Sequence, residues 1–425
     1  MKTRITPVSR LVARQPVLIP GDKSISHRSL MFGAMAEGVT EVTNLLEGAD
    51  VLSTWACMES MGARIERRGS KIVAHGAGSL REPARDLDCG NSGTSMRLLM
   101  GIVAGQGFKA RFVGDESLSR RPMKRISAPL AQMGAKIELT NGETCPLTVH
   151  GRKPLQAIDY DLKVASAQLK SAVLLAGMFA EGTTRVRGLI ASRDHTERLL
   201  PHFGVSVEAR PDVISIRGGQ KMRGAPVHVP GDISSAAFWI AAATLVPDTV
   251  LELKNVSLNP SRTGILHALK RMGARIETEM TATHPEEVGT IIVRSAKLKA
   301  TEIRPDEVPA LVDEIPMIAV LASQAEGTTV IRGAEELRVK ETDRIEAVAK
   351  NLRAMGVKLE TFEDGLSITG PQKLRGAQID SELDHRIAMA FSIAGLIADG
   401  PTEIHGSECV DISYPTFFKT LEALV

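Results

Sequence analysis

The sequence predicts a two-domain α/β chain built from six βαβαββ units, three to a domain. Three observations carry this expectation: the length, a strand phrase that recurs six times in phase, and a helix–glycine–strand phrase that follows it. A single hydrophobic core stops growing at roughly 250–300 residues. A chain of 425 residues is therefore expected to divide in two.

The strand phrase opens on small or acidic residues, usually with a glycine, and then alternates up to a Gly or Asn. It reads EGVTEVTN at 37–44, QGFKARFVG at 106–114, EGTTRVRG at 181–188, PDTVLELKN at 247–255, EGTTVIRG at 326–333 and DGPTEIHG at 399–406. A helix is expected ahead of each, over 26–36, 94–104, 167–180, 234–245, 315–325 and 386–398. The second phrase falls at Met61-Gly62-Ala63, Met133-Gly134-Ala135, Phe203-Gly204-Val205, Met272-Gly273-Ala274 and Met355-Gly356-Val357. In the first unit Gly62 follows a helical run, 52–61, and precedes strands over 64–66 and 71–74. A glycine there supplies the left-handed residue that ends a helix.

Pro20-Gly21-Asp22 and Pro230-Gly231-Asp232 stand half a chain apart and mark the expected crossings between domains. One domain is read as 1–17 plus 230–425, the other as the inserted 18–229. With a strand from 1–17 paired to the C-terminal half, the two crossings form a double hinge. A substrate site is then expected between the halves, a common place for one.

Composition removes several classes of function. With 43% hydrophobic and 24% charged residues, disorder, collagen and coiled coil are excluded. Lys and Arg number 52 against 50 Asp and Glu, so no global field draws the chain to nucleic acid or an anionic membrane. An aromatic content of 3% argues against base-stacking platforms. Cys57, Cys89, Cys145 and Cys409 lie far apart, with no CxxC and no histidine at zinc spacing, which fits a reducing compartment and no metal site. The most apolar stretches, 233–246 and 164–180, are too short for a bilayer or broken by Gln168 and Lys170, and read as buried helices. No long apolar run opens the chain, so no signal peptide is seen and a cytoplasmic protein is expected.

The polar clusters sit at helix starts. Pro20-Gly21-Asp22-Lys23-Ser24-Ile25-Ser26-His27-Arg28 opens the first long helix, where free N–H groups and the dipole favour an anion that Lys23, Ser24 and Arg28 can also reach. A capped helix with solvated cations is the alternative, and the phosphate-loop pattern GxxxxGK[ST] is absent. Cys89-Gly90-Asn91-Ser92-Gly93-Thr94, with Arg97 one turn on, can bring backbone close to a ligand or simply form a capped turn. Leu118-Ser119-Arg120-Arg121-Pro122 offers two guanidiniums suited to carboxylate or phosphate, or an ordinary surface pair. Ser166 and Gln168 head the next apolar helix, and Ser192-Arg193-Asp194-His195-Thr196 repeats the theme; both also read as plain caps. Asp313 and Glu314 precede another apolar helix, and Asp384-His385-Arg386 opens the last. RVKETDR, 338–344, is expected to place Lys340 and Arg344 on one helical face with Glu341 beside them, unless it is a salt-bridged surface helix. The joint pattern decides: clusters at one phase of every unit form a trap for a multiply anionic ligand pair.

These residues resemble a known family. PGDKSISHR (20–28), GNSGTSMR (90–97), LSRRPM (118–123), SAQLKSA (166–172), DEIP (313–316), RVKETDR (338–344) and DHRIAM (384–389) are similar to 5-enolpyruvylshikimate-3-phosphate (EPSP) synthases over essentially the whole chain. SAQLKSA and RDHTE resemble the class II bacterial form more than class I. The resemblance implies an inverse α/β barrel of two domains, and transfer of the enolpyruvyl group of phosphoenolpyruvate to the 5-hydroxyl of shikimate 3-phosphate with release of phosphate. It implies no metal and no organic cofactor, and a monomer is expected.

By matched position, Lys23, Ser24, Arg28, Ser166, Gln168, Asp313 and Lys340 would hold shikimate 3-phosphate, with Ala167 contributing only backbone where class I has a serine, and Arg193 adding a phosphate contact. Lys23, Gly93, Arg121, Gln168, Arg344 and Arg386 would bind phosphoenolpyruvate. The class I lysine near the C-terminus is missing: the phrase here is Asp411-Ile412-Ser413-Tyr414-Pro415. Asp313 is expected to act as base on the 5-hydroxyl and Glu341 as acid toward the CH2 carbon, with Lys23 assisting the departing phosphate. Lys340 and Arg344 favour an ionised Glu341, while the substrates' negative charges push the other way, so Glu341 becomes an acid only in the closed, loaded site. The cationic clusters repel one another when empty, which implies closure on anion binding. Gly93 implies sensitivity to the family's inhibitor glyphosate.

Two rivals stand beside this reading. The sister UDP-N-acetylglucosamine enolpyruvyl transferase carries a cysteine in its loop ahead of an Arg-Pro, and 114–122 has none. A non-enzymatic repeat protein that binds a phosphorylated ligand has no use for Asp313 and Glu341 together.

Overall fold

A buried helix followed by a long strand is the motif from which the mixed α/β fold is assembled. The computed structural model describes all residues, Met1–Val425, and resolves them into two compact units, Gly21–Val229 and Met1–Pro20 with Pro230–Val425. Each has its own apolar core. No helix is long and apolar enough to cross a membrane.

In Gly21–Val229 the principal helices are Lys23–Met35, Gly93–Ala104 and Ala167–Gly177, and nearly every residue of each is buried. A helix apolar on all sides has nowhere to go but a core. The strands that follow them, Glu37–Thr43, Lys109–Val113 and Thr183–Gly188, each centre a four-stranded sheet. Each pairs in parallel with a short strand (Val227–His228, Leu87–Asp88 and Asp159–Leu162 respectively) and antiparallel with one arm of a hairpin.

The second unit is built the same way on Ile233–Leu245, Ile315–Ala322 and His385–Gly395. Val250–Ser257 pairs in parallel with Val17–Leu18, and Gly327–Ile331 with Glu302–Ile303. The last sheet has three strands: Thr402–His405 pairs in parallel with Gln378–Asp380 and antiparallel with Lys2–Ile5, which thus supplies the edge that a hairpin arm fills elsewhere.

The helix starts are set locally. Asp22, Ser92, Ser166, Asp232 and Asp384 are N-caps whose side chains accept from a backbone N–H two or three residues on, the bond that satisfies one of the orphan donors of a first turn. The glycine of the second phrase behaves as its position requires: Gly62, Gly134, Gly204, Gly273 and Gly356 have φ between +80° and +102° directly after a helix, a region costly for any side chain with a Cβ.

Candidate active site

The sequence-selected residues fall into two polar clusters, one in each unit. In Gly21–Val229 they gather at the starts of the three buried helices. Lys23 Nζ lies 3.1 Å from Asp50 Oδ2, and the Asp50 side chain is nearly buried. Arg28 is 3% exposed; its Nε donates to Thr196 Oγ1 at 2.7 Å, Nη2 to Ser171 Oγ at 2.9 Å and Nη1 to the Ser24 carbonyl at 2.9 Å. Arg97 Nη1 donates to Gln168 Oε1 at 2.7 Å, and Gln168 Nε2 to Thr94 Oγ1 at 3.0 Å. Arg121 Nη2 donates to Asn91 Oδ1 at 2.7 Å, so its guanidinium is fixed across the glycine loop. A Cβ on Gly93 would stand 2.9 Å from Arg97 Nη1 and 3.6 Å from Arg121 Nη1. The loop is glycine where two guanidiniums come close.

Ser166 caps its helix, while Ala167, Gln168 and the half-buried Arg193 stay partly accessible. The two guanidiniums of LSRRPM do not act as a pair. Arg120 is exposed and meets Glu116 at 2.7 Å, whereas Arg121 turns inward, because the three-residue 3-10 turn Leu118–Arg120 ends between them.

Beneath this cluster lies a buried polar chain: His27 Nδ1 to Thr54 Oγ1, Thr54 to Ser95 Oγ, and Ser95 to Ser92 Oγ, each at 2.7 Å. Burial, and then the charges of Lys23 and Arg28, hold the His27 imidazole well below the ordinary value of 6.5. The unfolded chain therefore takes up a proton near pH 6.5 that the folded chain refuses. Stability is full above that pH and is lost as pH falls toward the folded value. The thermal midpoint is expected to drop on acidification below pH 6.5, and His27→Asn to flatten that slope. Identical slopes in the two proteins would overturn this.

In the other unit Arg344 is the hub. It is 1% exposed and donates from Nε to Asp384 Oδ2 at 2.7 Å, from Nη2 to Glu341 Oε2 at 2.7 Å and from Nη1 to Asp313 Oδ1 at 3.3 Å. Burial alone opposes its charge, but the carboxylates of Asp384, Glu341 and Asp313 outweigh that and raise its pKa above the usual arginine range. Asp313 also lies 3.6 Å from Arg386 and 3.9 Å from Lys340, so three cations surround one carboxylate. Arg386 is backed by Glu314 at 3.6 Å, and Glu314 accepts from the Ser234 hydroxyl, which in turn accepts from Arg262 at 2.5 Å.

Lys340 and Arg344 do not share a helical face as expected. Lys340 follows a 3-10 turn, Glu335–Val339, and Arg344 begins the helix Arg344–Ala354. The break is chemical: Asp343 accepts from the N–H groups of Ile345 and Glu346 and starts a new helix. The two cations still meet at Asp313. Asp50, Ser234 and Arg262 were not legible as site residues; an acid in a helix's first turn, as Asp50 is, reads as a favourable dipole contact. Tyr414, in the phrase that lacks the class I lysine, is a core residue. Trp239 Nε1 donates to its hydroxyl at 2.9 Å, and burial pushes its pKa up to about 12.

Comparison of the whole chain with known proteins points to one family. A family model described as EPSP synthase (3-phosphoshikimate 1-carboxyvinyltransferase) matches residues 5–421. The 3-phosphoshikimate 1-carboxyvinyltransferase of Bacillus licheniformis is 54% identical over 411 residues, and that of Bacillus subtilis 53%, each across 96% of both chains. A solved EPSP synthase from Acinetobacter baumannii gives a TM-score of 0.88 at 44% identity, covering 99% of this chain and 97% of that one. The enolpyruvyl transferase NikO from Streptomyces tendae, at 19% identity and a TM-score of 0.81 over 99% of this chain and 96% of that one, is a likeness of fold alone. With seven motifs in order, cation clusters at the helix starts and a match from end to end, the chain belongs to the EPSP synthase family.

Proposed function

We propose that the two clusters act together on one pair of anions, and that each side chain has the role its chemistry fits. The enzyme transfers the enolpyruvyl group of phosphoenolpyruvate to the 5-hydroxyl of shikimate 3-phosphate, releasing phosphate, in the shikimate pathway that leads to chorismate and the aromatic amino acids. Asp313, held among Arg344, Arg386 and Lys340, is the observation on which the assignment of roles rests.

In the addition, Asp313 removes the 5-hydroxyl proton as the oxygen attacks C2 of phosphoenolpyruvate, and Glu341 delivers a proton to the CH2 carbon. The product is a tetrahedral adduct bearing methyl, carboxylate, phosphate and ether oxygen. In the elimination Glu341 takes a proton back from the methyl, the C–O bond to phosphate breaks, and Asp313 returns its proton to the leaving phosphate, with Lys23 neutralising the charge that develops. Lys23, Ser24, Arg28, Ser166, the Ala167 backbone, Gln168, Arg193, Asp313 and Lys340 hold shikimate 3-phosphate. Lys23, Gly93, Arg121, Gln168, Arg344 and Arg386 hold phosphoenolpyruvate. The same reading includes the inverse barrel of six βαβαββ units, closure on anion binding, a monomer and a cytoplasmic location.

The test is phosphate release from phosphoenolpyruvate with shikimate 3-phosphate present, withheld, or replaced by UDP-N-acetylglucosamine. Release only in the first case is expected; release with the nucleotide sugar would move the chain to the sister reaction. Gly93→Ala adds a methyl that must displace the flexible end of Arg97. It is expected to weaken glyphosate inhibition and to raise the KM for phosphoenolpyruvate, and equal inhibition of both forms would refute the placement.

A further inference from the structure

We propose that Lys170, through a buried pair with Glu197, is a positioning residue for the shikimate 3-phosphate side of the site. This rests on the functional reading above, because it acts on residues that reading assigns.

Lys170 lies one turn inside the helix that Ser166 caps, in a run whose neighbours Leu169, Ala172 and Val173 are buried core. It is itself 1% exposed. Packing alone asks for an apolar side chain there. Instead the ammonium has three partners: Glu197 Oε1 at 2.8 Å, the Ile190 carbonyl at 3.1 Å and the Ser192 carbonyl at 3.2 Å. The two carbonyls accept hydrogen bonds from it, and Glu197 supplies the compensating charge at ion-pair distance. A buried ammonium missing any of these contacts is strongly disfavoured. The pair therefore fixes the position of the Ile190–Ser192 backbone against the helix.

That backbone leads directly into Arg193. The next residue pair along the same two helices acts in a parallel way. Ser171 Oγ and Thr196 Oγ1 lie 2.7 Å apart, and together they receive the Arg28 guanidinium. Adjacent pairs, 170 with 197 and 171 with 196, thus hold the loop that carries Arg193 and the side chain of Arg28, each relative to Ser166, Ala167 and Gln168. Lys170 sets where the loop carrying the Arg193 phosphate contact stands and touches no substrate itself.

A merely stabilising ion pair would give a different result when both charges are removed. Lys170→Met leaves Glu197 buried and unpaired, and is expected to lose stability. In Lys170→Met/Glu197→Met both charges are gone and apolar volume remains, so the thermal midpoint should recover. The two carbonyls still lack their donor. The double variant is expected to bind shikimate 3-phosphate about tenfold or more weakly and to raise its KM in step, with the KM for phosphoenolpyruvate within about threefold of wild type, as displacement of a binding group by a fraction of an ångström predicts. In an Arg193→Ala background the same double substitution should add little, because both changes act on one contact. Glu197→Gln, which keeps an acceptor for Lys170, should stay near wild type. Wild-type affinity for shikimate 3-phosphate in the double variant, or a double variant as unstable as Lys170→Met, would overturn the proposal. A wild-type chain that releases no phosphate with shikimate 3-phosphate would instead defeat the functional reading.

Discussion

Arg344→Met is expected to abolish measurable phosphate release and to lower unfolding free energy by about 3–5 kcal/mol, the range for removing one partner of a buried ion pair. The guanidinium reaches three carboxylates in three directions, Asp384, Glu341 and Asp313. Asp384 is fully buried and Asp313 only 8% exposed. Without the arginine, Asp313 keeps Arg386 and Lys340 at 3.6 and 3.9 Å, but Asp384 keeps only the backbone N–H of Arg386, which it caps at 2.8 Å. The cost falls on fold and site at once. Arg344→Lys separates them: a single ammonium restores charge but cannot span three acceptors set around a planar fork. It should recover part of the stability and little of the turnover. Urea denaturation with a phosphate-release assay reads both, and a wild-type midpoint together with wild-type turnover in Arg344→Met would show that the hub is dispensable.

The difference between what local sequence reveals and what it hides follows from chain distance. Helix starts were legible because an Asp or Ser cap bonds to an N–H two or three residues away, and the junction glycines because left-handed backbone is itself local. Helix ends were legible in half the cases, those expected at 36, 104 and 245 falling at Met35, Ala104 and Leu245; the other three were not. Expected to run to 180, 325 and 398, the buried helices stop at Gly177, Ala322 and Gly395. Past Ala322 the backbone tightens, Gln324 N–H bonding to Leu321 and Ala325 N–H to Ala322, and nothing in an apolar run signals that change. The cation clusters were found by their recurrence at one phase, yet their partners were not. Asp50 is 27 positions from Lys23, and Ser234 is 80 from Glu314. RVKETDR misled because i,i+4 spacing looks helical, while the Asp343 side chain captures two N–H groups and begins a new helix at Arg344. A spacing rule holds only within one uninterrupted helix.

Asp313 and Glu341 are the other pair of large effects. Asp313→Ala and Glu341→Gln are each expected to cost on the order of 10²–10⁴ in turnover, the usual contribution of a positioned acid or base. The surrounding ion pairs let these losses be read as chemistry. When Asp313 is removed, Arg344 retains Asp384 and Glu341, and Arg386 retains Glu314. No buried cation is stranded, and the unfolding midpoint should shift far less than in Arg344→Met. Glu341 is the more accessible of the two acids, with 16% of its side chain exposed, so its amide is readily accommodated. An amide can still accept from Arg344 but cannot pass a proton to carbon. A second measurement follows the carbon proton directly. In deuterated water with both substrates, wild type is expected to exchange the CH2 protons of phosphoenolpyruvate, because the proposed addition through a methyl adduct is reversible. Glu341→Gln should show exchange reduced at least as far as turnover. Asp313→Ala leaves the carbon acid in place but slows attack by the hydroxyl, so exchange and turnover should fall together. Near wild-type turnover in both variants would remove these two carboxylates from the reaction, and exchange that survives intact in Glu341→Gln would assign the carbon proton to another group.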